Sequence, residues 1–202
     1  GAPVECTPLV LTERVYFGTR GGRIFCLDLQ TGTERWTYDI PDGWDVSSGI
    51  RALKDRIFFG SFDGAFHILD GRSGRSLIRL VPLSPPRPIR YPPSEPGGSG
   101  IVALNSGGVG VVAVNIQSGT MSWSFRTESE VLGAPELAGT CVVFATTDGT
   151  IHILEAETGA GAGRISLGSR LESPGRAADG SYIVGDAQGR IRHHHFGEGG
   201  YA

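Results

Sequence analysis

Short runs of alternating apolar and polar residues, each closed by a glycine-bearing turn, recur along this chain. In the stretch Val15 to Trp36, VYFGTRGGRIFCLDLQTGTERW, Val15-Tyr16-Phe17 is β-branched and aromatic, and Gly21-Gly22 is a tight-hairpin dipeptide. Ile24 to Leu29 then alternates again before Thr31-Gly32 breaks the run and leads into Trp36. Strand, hairpin, strand and turn make most of a four-stranded antiparallel unit. The second turn returns as Ser73-Gly74, Ser118-Gly119 and Thr158-Gly159, at a spacing of about 40 residues that suits one propeller blade. The hairpin keeps step, with Asp63-Gly64, Gly107-Gly108, Asp148-Gly149 and Gln188-Gly189 following Gly21-Gly22.

Five repeat units follow, at about 5–40, 47–81, 99–127, 130–168 and 171–197, and the fifth shows no convincing fourth strand. No segment sustains a 3.6-residue period with caps, so helix is expected to be minimal. The predicted fold is all-β: a propeller of about five four-stranded antiparallel blades in one domain over 1–202, incomplete or completed by a partner. Phe17, Phe59, Phe144 and Ile183 are predicted core residues, as are Leu27, Leu69 and Leu154. Residues 82–98, PLSPPRPIRYPPSEPGG, hold most of the prolines and cannot form an interior ladder strand, so they read as a long inter-blade excursion.

Composition changes this picture little. Glycine is 32 of 202 residues without a Gly-X-Y period, which fits turn punctuation. A net charge of -3 provides no basic field for nucleic acid or an anionic membrane. No apolar run is long enough for a transmembrane segment, and the first residues lack the regions of a signal peptide. Cys6, Cys26 and Cys141 are odd in number and lack metal-type spacing, so buried free thiols are expected.

The quoted stretch resembles the β-propeller repeats first described in pyrroloquinoline quinone dehydrogenases, whose pattern is roughly V-Y-x-G-[ST]-x-x-G-x-[LIV]-x-A-L-D-x-x-T-G-x-x-x-W. Cys26 stands where that pattern has alanine. The resemblance makes Trp36 and Trp123 structural wedges docking one blade on the next, with Ile78 and Gly163 at the equivalent positions of the second and fourth units. The enzymatic branch of the family binds the quinone and a calcium ion with acidic and amide ligands, a Trp floor and often an adjacent Cys-Cys pair. This chain has no Cys-Cys pair and fewer units than the about eight blades of that branch. The non-catalytic branch, resembling the lipoprotein scaffold of the outer-membrane protein assembly machinery, fits better. It implies a binding or scaffolding module with protein partners or self-association, no cofactor, and an extracytoplasmic location. The alternatives are a fragment of a quinoprotein dehydrogenase and a ligand-sensing propeller domain.

No catalytic or metal site is assigned. Asp63, Asp148 and Asp186 lie in or near hairpins, where a carboxylate bonds turn backbone. In His193-His194-His195 successive side chains point to opposite faces, so at most His193 and His195 can share an ion. His67 and His152 share one repeat position, which suggests a packing slot. The candidate interaction surface is Trp44, in a connection between blades, with Arg87, Arg90 and Tyr91 of the proline-rich stretch. The competing readings are a tryptophan tucked over a blade edge and a solvated, proline-stiffened loop.

Overall fold

A computed structural model describes residues 2–97, 100–105, 110–178 and 181–195, with the backbone alone for Ile101, Val102, Ala178 and His195. The predicted hairpin at Gly107-Gly108, and the predicted ends of the excursion at Gly98 and of the last unit beyond His195, lie outside the described residues. The strands form five meander sheets in which pairing follows chain order. The first holds β1 (Leu9–Leu11), β2 (Arg14–Gly18), β3 (Arg23–Asp28) and β4 (Glu34–Asp39). The second holds β5 (Arg51–Leu53), β6 (Arg56–Gly60), β7 (Phe66–Asp70) and β8 (Ser76–Leu80). The third holds β9 (Ile101–Asn105), β10 (Gly110–Asn115) and β11 (Met121–Arg126). The fourth holds β12 (Val131–Ala138), β13 (Cys141–Thr146), β14 (Thr150–Glu155) and β15 (Gly161–Ser166). The fifth holds β16 (Arg176–Ala178), β17 (Ser181–Gly185) and β18 (Ile191–His195). Helix among the described residues is a single 3-10 turn at Pro41–Gly43.

The third sheet has three described strands where the repeat predicts four. Prolines ahead of β9 cannot supply ladder donors, and Ser94 bonds Ala103 instead, through its backbone N–H (2.8 Å) and its hydroxyl (2.9 Å).

The chain divides into two compact units, Gly1–Pro93 with Ile116–Gly119, and Ser94–Asn115 with Thr120–Ala202. In the first, Tyr16, Cys26, Trp36, Val46, Ile57, Phe59 and Leu69 share one core. In the second, Phe144, Leu154 and Trp123 share one core, and Val143, Ile153, Tyr182 and Val184 another. Strands β6 and β13 are buried on both faces apart from Arg56, which explains their unbroken apolar runs Ile57-Phe58-Phe59 and Cys141 to Ala145.

Three devices repeat from sheet to sheet. The central hairpins close with an N–H from the glycine four residues in, Gly22, Gly64, Gly149 or Gly189, to Thr19, Ser61, Thr146 or Asp186; each glycine has positive φ. A register shift interrupts the last strand pair at Cys26/Leu27, Ile68/Leu69, Ala113/Val114 and Ile153/Leu154, a bulge that adds twist at the same place in four sheets. A cross-strand ring pair stacks in three of them: Phe17 on Phe25 (5.3 Å), Phe59 on His67 (5.2 Å) and Phe144 on His152 (5.0 Å).

Phe59, Phe144, Leu69 and Leu154 are buried, whereas Phe17 and Leu27 are half-buried. Ile183 is a correction: it is 41% exposed, and Val184, at 2%, pairs with Arg192 as Phe59 pairs with His67. The expected register was one residue out, and a one-residue slip exchanges the two faces of a strand.

Candidate interaction surface

The connections leaving the first two sheets are each fixed to the central hairpin just passed. After the first sheet, Val46 N–H donates to Thr19 O (3.1 Å) and the Val46 side chain lies over Gly18, where a Cβ would stand 2.6 Å from its Cγ1. The proline-rich stretch repeats the arrangement. Ile89 N–H donates to Ser61 O (3.0 Å), and its fully buried side chain lies over Gly60, leaving no room for a Cβ there. Ile89 therefore anchors the proline-rich stretch before Ser94 to the β6–β7 hairpin. Its offset from Gly64 nearly matches that of Val46 from Gly22, a signal the sequence held among its prolines.

That anchoring places three of the four surface candidates. Arg87 backbone lies against Gly64, and Arg90 sets its guanidinium 5.3 Å from the centre of the Phe62 ring. Tyr91 follows at 37% exposure. Phe62 N–H donates to Asp45 O (3.0 Å), which ties the neighbouring connection to the same hairpin, and Trp44 beside Asp45 is 50% exposed. Asp45 lies 4.0 Å from Arg20, which also pairs with Glu5 at 2.9 Å. Phe62 was not anticipated; a large aromatic between Ser61 and Asp63 in a tight turn was the available signal.

Trp36 and Trp123 lie at the other ends of the strands. Trp36 Nε1–H donates to Gly71 O (3.2 Å), which also accepts from the Tyr16 hydroxyl (3.0 Å), and its ring covers Gly74. Trp123 Nε1–H donates to Ala156 O (2.8 Å) and its ring covers Gly159. At the equivalent position of the second sheet Ile78 covers Gly119, and Arg56 donates to the carbonyls of Ile116 and Gln117.

The hairpin carboxylates bond within their own turns and strands. Asp63, buried enough that its carboxyl alone would be pushed up, is held well below the usual range by His67, the Ala65 N–H and Arg79. Asp186 accepts from the Gln188 and Arg190 N–H groups and from the Arg190 side chain, which against the cost of burial hold its carboxyl down at about 2. Asp148 likewise accepts from Thr146 and Thr150, again against burial. No group of three or more His, Cys, Asp or Glu among the described residues is arranged to hold a metal ion. His152 is pushed below its ordinary value by burial and by Arg164. All three cysteines are free and buried; Cys6 Sγ accepts the Gly18 N–H at 2.9 Å.

Repeating meander sheets of three or four described strands, and the indoles of Trp36 and Trp123 over the turn glycine of the following sheet, are those of a β-propeller protein of the quinoprotein-repeat class. The chain belongs to the family described as outer membrane protein assembly factor BamB, which matches residues 87–191. It is 25% identical over 139 residues to that factor from Burkholderia pseudomallei, spanning 69% of this chain and 34% of the relative. It is also 25% identical over 150 residues to the quinohemoprotein alcohol dehydrogenase ADH IIB of Pseudomonas putida, spanning 66% of this chain and 21% of the enzyme. Among solved structures, BamB from Moraxella catarrhalis superposes with a TM-score of 0.77 at 22% identity, over 95% of this chain and 57% of that one. The computationally designed Ika8 protein gives 0.77 at 17% identity, over 93% and 57%. The chain thus spans about a fifth of the dehydrogenases it matches and a third of the assembly factor.

Proposed function

We propose that this chain is a non-catalytic propeller module that holds a protein partner within a larger extracytoplasmic assembly, using the surface around the β6–β7 hairpin. The observation that supports the reading is Arg90 over the Phe62 ring, with Phe62 bonded to Asp45 beside exposed Trp44 and Arg87 backbone against Gly64; exposed Tyr91 follows Arg90, and these residue types are enriched at interface anchors. Family membership supports a scaffolding role. Trp36 and Trp123 serve as the wedges between successive blades of one propeller, and residues 82–98 as an anchored inter-blade loop. No helix among the described residues is long and apolar enough to cross a membrane.

A second reading, part of a quinoprotein dehydrogenase, is favoured by the 25% identity to such enzymes. A thermal-shift titration with pyrroloquinoline quinone and calcium separates the two. The scaffold reading expects no saturable stabilisation, whereas ligand at 100 times its Kd stabilises by ~2.7 kcal/mol. In parallel, Trp44→Ser and Arg90→Ser are expected to keep the melting temperature and lose the co-purifying partner.

A further inference from the structure

The β1–β2 and β5–β6 hairpins, both in the first unit, enclose a cleft of about 60 Å³ at the strand ends away from Trp44. Arg14 and Lys54 line it with Tyr16, the Asp55–Arg72 ion pair and two apolar side chains, Leu11 and Ile57. Arg14 Nε is fully buried and donates to nothing. No carboxylate among the described residues lies within ion-pair distance of Arg14 or Lys54, and Arg72 at the rim already pairs with Asp55 at 3.1 Å. Lys54 and Thr12 hold positive φ (55° and 51°) in hairpins whose counterpart in the fourth sheet uses Gly139. A lysine kept in a conformation suited to glycine, at the mouth of a cleft with a half-buried guanidinium, is local strain of the kind found at ligand sites.

We propose that this cleft binds a carboxylate carried on a short aliphatic stem. A half-buried guanidinium is a planar fork that matches a carboxylate in two parallel bonds. Lys54 adds a second positive charge at the rim, and Leu11 and Ile57 receive the stem. The volume is well above the ~10–15 Å³ that one ordered water needs, so the site has room for more than solvent filling. The carboxylate can belong to a free small acid or to a peptide C-terminus; the recognising chemistry is the same. The site uses none of the residues of the proposed interaction surface, so either proposal can fail alone.

The test is a titration of the whole chain at constant ionic strength, read by the arginine Nε–H signals in a ¹H–¹⁵N spectrum. The probes are butyrate, butyramide, inorganic phosphate, and the dipeptide acetyl-Gly-Val with its amide. Butyrate is expected to shift the Arg14 signal saturably at millimolar concentration, and butyramide to leave it in place. Lys54→Asn, an exposed change to a residue that tolerates positive φ, is expected to weaken binding at least threefold with the melting temperature unchanged. Arg14→Lys, which keeps the charge and loses the fork, is expected to weaken it at least tenfold. Tighter binding of the dipeptide than of butyrate, lost in its amide, identifies a peptide source; equal binding identifies a small acid. No saturable shift with butyrate, an equal shift with butyramide, stronger binding of phosphate, or full binding by both variants overturns the proposal.

Discussion

Ser48→Ala removes one oxygen that bonds both backbone groups of a glycine at the end of β6. Ser48 Oγ donates to Gly60 O at 2.6 Å and accepts Gly60 N–H at 3.0 Å, and Ser48 and Gly60 are both buried. Ile89 lies over Gly60, so water has no easy route to replace the lost partner. An orphaned buried donor or acceptor costs ~1–3 kcal/mol, which puts the pair at ~2–4 kcal/mol after relaxation. At about 2–4 °C per kcal/mol for a chain of this length, the melting temperature falls by ~4–16 °C. The same bridge recurs as Ser173 on Gly185 and, with sulfur, as Cys6 on Gly18. Cys6→Ser is therefore expected to be neutral within ~1 kcal/mol while Cys6→Ala costs more. Urea denaturation gives the stabilities, and hydrogen exchange at the Gly60 amide reports the bond directly. A Ser48→Ala protein within ~0.5 kcal/mol of the parent, or a Cys6→Ser protein as weakened as Cys6→Ala, refutes the assignment.

Gly74→Ala forces a Cβ to 2.6 Å from the Trp36 ring at φ 72° and is expected to cost ~3 kcal/mol or more. Gly32→Ala meets nothing at φ 69° and is expected to cost only ~1–2 kcal/mol, both read by chemical denaturation. His152 is depressed below its unfolded value, so the unfolded chain binds more protons and stability falls as pH drops through about 6.5. His152→Phe, which copies the Phe17–Phe25 pair of the first sheet, is expected to remove that slope in urea midpoints between pH 7 and 5. Asp186 has the opposite charge logic: its folded value of about 2 lies below the unfolded one, so its contribution is full above about pH 4 and lost as pH falls toward 2. Asp186→Asn is expected to flatten the acid limb of the same titration.

The sheets were legible in the sequence because period-two alternation and turn glycines are local signals. The hairpins at Gly21-Gly22 and Asp63-Gly64 are such signals and stand where the turns are. Ile183 went wrong because the fifth unit has no phenylalanine at the position of Phe59 and Phe144, and Tyr182-Ile183-Val184 reads equally well one residue over. Ile89 was hidden for a different reason: an anchor is defined by what it covers, and nothing local in a proline-rich run announces that Gly60 lies beneath it. The bridges escaped notice because Cys6 stands where the others have Ser48 and Ser173, and each acts across 12 residues, a link that only the folded pairing of strands reveals. Of the surface candidates, residue type suggested Trp44, Arg87, Arg90 and Tyr91, but Phe62, which joins Arg90 to the Trp44 connection, required the three-dimensional arrangement.

The most direct test of the interaction surface is site-specific photocrosslinking in the cells that make this protein. The probe is placed in turn at Trp44, Tyr91 and Arg90, with controls at exposed Leu29 and Met121. A discrete protein adduct from the first three positions, absent from the controls and lost when Phe62→Ser is added, is the predicted result. Adducts of equal yield from Leu29 and Met121, or none from Trp44, Tyr91 and Arg90, contradict the account.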